Sequence, residues 1–254
     1  MPQFKIVLAY DGGDFVGWQR QASGTSIQGA LEDVLRNLDQ RDVAVAGAGR
    51  TDAGVHALGQ VAAFSLARPM SADAVVRALN AHLPDTIRVL SAKEVSPGFH
   101  PRFGAGTKAY RYRIWNGDVI SPFERRYAWH VSGPLDIEAM AAAAASLVGA
   151  HDFAAFQASG ASTSTTERVV CSSLVLRQPG HESLVLYEVR GGGFLRHMVR
   201  IIVGTLVEIG RGRRRAAWMR DVLASRDRAL AGPTAPPGGL FLVGVEYDAS
   251  QMES

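Results

Sequence analysis

The residues with most capacity for chemistry lie together in one stretch, Gly47-Ala48-Gly49-Arg50-Thr51-Asp52-Ala53-Gly54-Val55-His56-Ala57-Leu58-Gly59-Gln60. Four glycines bracket an arginine, a threonine, a carboxylate and a histidine. Glycine lets a backbone turn tightly and lets a ligand come close to it. A carboxylate held beside a guanidinium stays ionised, since the positive charge favours the charged form. In that state it can act as a nucleophile. Taken singly, the same residues have plainer uses. An Asp in a Gly-rich turn commonly caps its own backbone. Arg50 would serve as a solvated loop charge and His56 as a structural hydrogen-bonder. Length argues for more, because a hairpin loop needs only about two to five residues.

Other kinds of site are not indicated. The histidines are dispersed, Cys171 is the lone cysteine, and no pair has metal-ligand spacing, so no metal is expected. Gly191-Gly192-Gly193 lacks the Lys-Ser/Thr ending of a phosphate loop. It reads as the opening of a helix, where N–H groups meet a phosphate or simply turn the chain. In Lys108-Ala109-Tyr110-Arg111-Tyr112-Arg113 the tyrosines share one strand face and the arginines the other. A tyrosine there stacks on a base or packs in a core. Arg196 and Arg200, four apart, are expected on one helical face.

These residues need elements to position them. Phe4, Ile6, Leu8 and Tyr10 alternate as a strand, and Ser26 caps a helix with apolar residues from Ile27 to Leu38. Strands are predicted over 43–48 and 58–66, a helix opened by Ser71 over 71–79, and a strand over 87–95. The second half offers a strand at 108–115 and a helix after Asp136. A strand pair follows at 169–177 and 184–190, with Cys171 read as a core residue. Helices over 194–209 and 216–224 and a strand at 240–247 complete it. A Ser/Thr-rich stretch at 157–167 reads as a mobile loop. The fold class expected is α+β: two ferredoxin-like βαββαβ lobes with mainly antiparallel sheets, joined around a central cleft. The division expected is 1–100, carrying the loop at 47–60, and 101–254, basic and RNA-binding.

A length of 254 residues, 47% hydrophobic and 20% charged, is that of an ordinary globular chain. No apolar run reaches bilayer length, no signal-peptide layout opens the chain, and a cytoplasmic location is expected. Net charge is only +3, but it is uneven: ten arginines lie between Arg190 and Arg228 against Glu208, Asp221 and Asp227. With Lys108, Arg111 and Arg113, that asymmetry is the electrostatic footprint of a polyanion partner.

Seven ordered stretches carry a resemblance. They are GWQRQ at 17–21, GAGRTDAGVHALGQ at 47–60, FHPRF at 99–103, KAYRYRIW at 108–115, HDFAAF at 151–156, GGGFLRHMVRIIVG at 191–204 and GLFLVGVEY at 239–247. In these the sequence resembles the TruA family of bacterial tRNA pseudouridine synthases. The resemblance implies a cofactor-free isomerase, working as a homodimer on uridines 38, 39 and 40 of the tRNA anticodon arm. It also implies roles: Asp52 as the nucleophile, Tyr110 against the target base, Arg50 in extruding the uridine, and Arg200 as the arginine near the carboxylate. A rival reading is a tRNA-binding module without catalysis, which would not need the carboxylate of the Arg50-Thr51-Asp52 loop.

Overall fold

A computed structural model of the chain describes residues 1–160 and 163–247. Positions 161 and 162, within the Ser/Thr-rich stretch expected to be mobile, lie outside the described residues. Compactness divides the chain into two units, Met1–Lys108 together with the segment from Phe241 onward, and Ala109–Leu240. The expected boundary at 100/101 therefore does not coincide with the break between compact units. That break falls inside a strand, and the C-terminal strand belongs with the first unit.

In the first unit, β1 (Gln3–Tyr10) buries Phe4, Ile6, Leu8 and Tyr10 and turns the intervening residues outward. α1 (Ile27–Asp39) begins where Ser26 accepts a hydrogen bond from the Gly29 N–H. β2 is short (Ala46–Gly47), and β3 (His56–Ser65) is buried along nearly its whole length, as a central strand should be. α2 (Ala72–His82) is capped by Ser71, whose side chain accepts from the Ala74 N–H, and β4 (Ile87–Val95) follows. β1 lies between β4 and β3, antiparallel to both, and β2 pairs antiparallel with β3.

In the second unit, β5 (Ala105–Trp115), which begins before the break, buries Tyr110, Tyr112 and Ile114 in strict alternation. β6 (Trp129–His130) pairs with its end. α3 (Ile137–Ala145) is capped by Asp136, and β7 (Gly149–Asp152), β8 (Glu167–Gln178) and β9 (His181–Gly191) follow. The strand order here is β5-β9-β8-β7. α4 (Met198–Gly210) is apolar nearly all round and buried nearly all round. α5 (Trp218–Ser225) completes the helices. β10 (Leu240–Tyr247) pairs parallel with β3, Phe241 opposite His56 and Leu242 opposite Ala57. The last strand of the chain's second half thus joins the sheet of the first unit. The architecture is mixed α+β with mainly antiparallel pairing, as expected. Among the described residues, no helix is long and apolar enough to cross a membrane.

Several local expectations are corrected. Residues 149–152, given no element in the sequence analysis, form a strand, and Phe153 and Phe156 after it are buried. α4 starts at Met198, after His197 in a left-handed conformation (φ 61°). Arg196 therefore precedes the helix and shares no helical face with Arg200, and the three glycines do not open the helix. Cys171 is exposed. The β8–β9 register shifts between Val170 and Ser172, which interrupts the simple in–out alternation at Cys171.

Candidate active site

The loop carrying Asp52 is held by side chains of β1 and β3. Tyr10 ends the buried face of β1, and its hydroxyl lies 2.8 Å from Oγ1 of the buried Thr51. Gln60, fully buried on β3, donates from Nε2 to the Gly49 carbonyl (2.9 Å) and to the Tyr10 hydroxyl (3.5 Å). Burial pushes the Tyr10 phenol up to about 12, against the opposing pull of its bonds to Thr51 and Gln60. It stays protonated, so it is a fixed hydrogen-bonding post.

The segment after β1 supports the loop from a second side. The Trp18 N–H donates to the Thr51 carbonyl (3.0 Å), and the Gly54 N–H donates to the Phe15 carbonyl (3.4 Å). Gly17, at φ 108°, brings its backbone against Thr51, Asp52 and Ala53. At Gly12 the approach is closer still, for a Cβ there would fall 1.9 Å from the Val55 carbonyl oxygen. GWQRQ at 17–21 thus contributes Gly17 and Trp18 as supports. Trp18 is buried against Gly47.

His56 is a structural residue. Its Nδ1 lies 3.1 Å from the Gly12 N–H and 3.0 Å from the Asp11 carboxylate, and its ring stacks on Phe241 at 4.7 Å. β10 therefore anchors the point where the loop re-enters the sheet. Between Thr51 and His56, Asp52 begins a turn in which its carbonyl accepts from the Val55 N–H (3.1 Å) and Gly54 takes φ 76°. Asp52 itself is half-buried between pinned neighbours. Arg50 is exposed and forms no ion pair among the described residues, so the loop does not clamp its guanidinium to the carboxylate.

The expected site residues divide between the units, Arg50 and Asp52 in the first, Tyr110 and Arg200 in the second. Tyr110 is nearly buried and meets Phe194 edge-on, ring centroids 5.0 Å apart at 78°. Packing thus accounts for part of its surface. Arg200 lies in the first turns of α4, half-buried, and donates from Nε to the Ala235 carbonyl (2.8 Å). Tyr112 donates to the neighbouring Pro236 carbonyl (2.7 Å). Burial raises the Tyr112 phenol strongly, and the positive charge of Arg200 pulls the other way. Arg200 and Tyr112 therefore fix the stretch at 235–236, which the sequence shows only as a Pro/Gly-rich loop.

Part of the basic footprint is neutralised within the chain. Arg111 pairs with Glu188 (2.6 Å), Arg113 with Glu124 (2.6 Å), and Arg213 with Glu208 (3.0 Å). Arg214 lies over the Trp218 ring at 5.0 Å. Exposed pairs of this kind add little stability, and they reduce the charge available to a polyanion.

Comparison with known proteins adds to this geometry. A family model described as tRNA pseudouridine synthase matches residues 6–104 and 143–248. The tRNA pseudouridine synthase A of Myxococcus xanthus is 49% identical over 247 residues, spanning 97% of this chain and 92% of that protein. Its counterpart in Solibacter usitatus is 48% identical over 250 residues, covering 97% and 100%. That of Moorella thermoacetica is 47% identical over 249 residues, with the same coverage.

Proposed function

The chain belongs to the tRNA pseudouridine synthase family and is an isomerase acting on tRNA; from that premise we infer that it converts uridines 38, 39 and 40 of the anticodon stem-loop to pseudouridine, with Asp52 as nucleophile. The observation that carries this reading is the support built around one half-buried carboxylate. Tyr10, Gly12, Gly17, Trp18 and Gln60 fix the backbone on both sides of Asp52. A simple cap of a surface turn does not need that support. Preorganisation of this kind holds a reacting group where the transition state needs it.

The reaction breaks the bond between ribose C1′ and uracil N1, turns the base, and joins C1′ to C5. N1 gains a proton and C5 loses one, so no redox partner is needed. If the Asp52 carboxylate bonds to C1′ as the C1′–N1 bond breaks, and is displaced when C5 of the turned base bonds C1′, one difficult exchange becomes two easier steps. The uridine must first leave its stack, at a cost of a few kcal/mol that is least in a loop or at a stem end. Arg50, exposed beside Asp52 in sequence, takes part in extrusion. Tyr110 meets the displaced base, and Arg200 supplies positive charge to the same reaction. The protein works in the cytoplasm as a homodimer, which sedimentation equilibrium checks: an active monomer overturns it.

The test is Asp52→Asn, scored by tritium release from tRNA labelled at uracil C5. Turnover is expected to disappear while tRNA affinity stays within a few-fold. Substantial residual turnover would sink the assignment. Sequencing the product for pseudouridine at 38, 39 and 40 tests the positions independently.

A further inference from the structure

FHPRF at 99–103 takes no part in the support of Asp52. Its first residue is core: Phe99 is buried, packs on Tyr247 at 5.4 Å, and has the Lys5 ammonium over its ring at 5.7 Å. The next residues form a closed turn. Nδ1 of His100 accepts from the N–H groups of Arg102 (3.1 Å) and Phe103 (3.3 Å), and the Gly104 N–H returns to the His100 carbonyl (3.0 Å). That turn presents Arg102 and Phe103 to solvent, with Phe103 79% exposed and its ring against His100 at 4.4 Å. The Arg102 guanidinium lies over the same ring at 6.0 Å.

Lys108 completes the group. A Cβ on Gly49 would lie 3.8 Å from its Nζ, 3.9 Å from Cε and 4.0 Å from Cδ, so the side chain runs along the loop that carries Asp52. Lys108 is half-buried, yet among the described residues neither its ammonium nor the Arg102 guanidinium makes a hydrogen bond or an ion pair. Burial, and then the nearby Arg102, hold the Lys108 ammonium below its usual value. Exposed arginines such as Arg68 and Arg77 need only water. A half-buried ammonium that also feels the charge of Arg102 is in a different position, because both desolvation and repulsion oppose its charge. An anion relieves both.

We propose that Arg102 and Lys108 jointly bind a backbone phosphate of the tRNA close to the reacting uridine, while the exposed Phe103 ring stacks on a base of the same strand. This rests on the reading of the chain as a tRNA isomerase working through Asp52. Gly49 is three residues before Asp52, at most about 10 Å of chain, so the phosphate belongs to the target nucleotide or a near neighbour. Two cations beside an exposed aromatic ring combine the features that hold single-stranded RNA, charge for the backbone and a π-face for the base. The turn closed by His100 has already fixed Arg102 and Phe103, so little further ordering is needed on binding.

The test measures binding of unmodified tRNA transcript to the full-length protein across a salt series, with turnover measured in parallel. Arg102→Gln and Lys108→Gln are each expected to flatten the slope of log affinity against log salt, and the double variant by about 0.7–0.9 in all, because the two cations share one phosphate. Each should raise KM and leave kcat near wild type, and Lys108→Arg should restore the slope. Phe103→Ala is expected to weaken binding about fivefold or more without changing the slope. Arg102 and Phe103 are exposed, so their variants remain informative even if Lys108→Gln folds poorly. Unchanged slopes in both cation variants would overturn the phosphate site. A loss confined to kcat would overturn it too, by assigning these groups to the chemistry. Full affinity in Phe103→Ala would overturn the stacking contact. Failure of the unaltered protein to bind or modify tRNA would instead remove the functional reading itself.

Discussion

Gly12→Ala tests whether the segment after β1 sets the position of Asp52. The new methyl carbon would stand 1.9 Å from the Val55 carbonyl oxygen and 2.7 Å from its carbon, and both contacts are backbone. A tolerable separation is 3.0–3.4 Å, so one of the two segments must retreat by about 1.1–1.5 Å. The Gly12 N–H also faces Nδ1 of His56, which adjoins Val55 in sequence and is fixed by Phe241. The strain therefore passes into the turn from Asp52 to Val55. A misplacement of about 1 Å can cost on the order of 10²-fold in rate. Overpacking of this kind also costs about 1–3 kcal/mol of stability, or roughly 2–4 °C of melting temperature per kcal/mol for a chain of this size. Tritium release under saturating tRNA should thus fall by about two orders of magnitude in kcat, with tRNA affinity within a few-fold. Gly98→Ala, whose Cβ would meet nothing within 4 Å, is the matched control and should change neither quantity. A folded Gly12→Ala protein with wild-type kcat would refute the reasoning, since the loop would then be indifferent to its support.

Tyr110→Phe retains the ring that meets Phe194, and it should keep the fold and tRNA affinity. Tyr110→Ala should abolish turnover and destabilise the second unit by about 3–5 kcal/mol, and a fully active alanine variant would leave Tyr110 a packing residue only. Asp39, fully buried as a side chain, gives a pH test. Burial pushes its carboxyl up, but the N–H groups of Ala67 and Arg68 and the Arg41 guanidinium outweigh this and hold it below the usual carboxylate value. A depressed folded value contributes stability above the unfolded value, near pH 4, and that contribution is lost as the pH falls through the folded value. Asp39→Asn should therefore melt lower than wild type at pH 7, and the gap should narrow below about pH 4. A gap independent of pH would show that the charge does not matter there.

Much of this protein was legible from local pattern. Alternation in β1 and β5 told which residues turn inward, because a strand's side-chain period is fixed at two. Ser26, Ser71 and Asp136 marked helix starts, because an N-cap is satisfied by its own next turn. The run from Gly47 to Gln60 drew attention to Asp52 through its length and its wording together. Features that depend on distant partners were not legible. α4 begins at Met198 and not Phe194 because the chain leaves β9 through a left-handed His197, which apolar periodicity does not encode. Cys171 is exposed because the register with β9 slips beside it. β10 lies beside β3 through pairing across nearly two hundred residues of sequence, and so joins the first unit. The support of Asp52 by Tyr10, Gly12, Trp18 and Gln60 is of the same kind. Each is an ordinary strand or turn residue in the sequence, and only tertiary packing brings its hydroxyl, amide or missing side chain against the loop. Residue types and short spacings single out a candidate group; long-range packing determines where it is held.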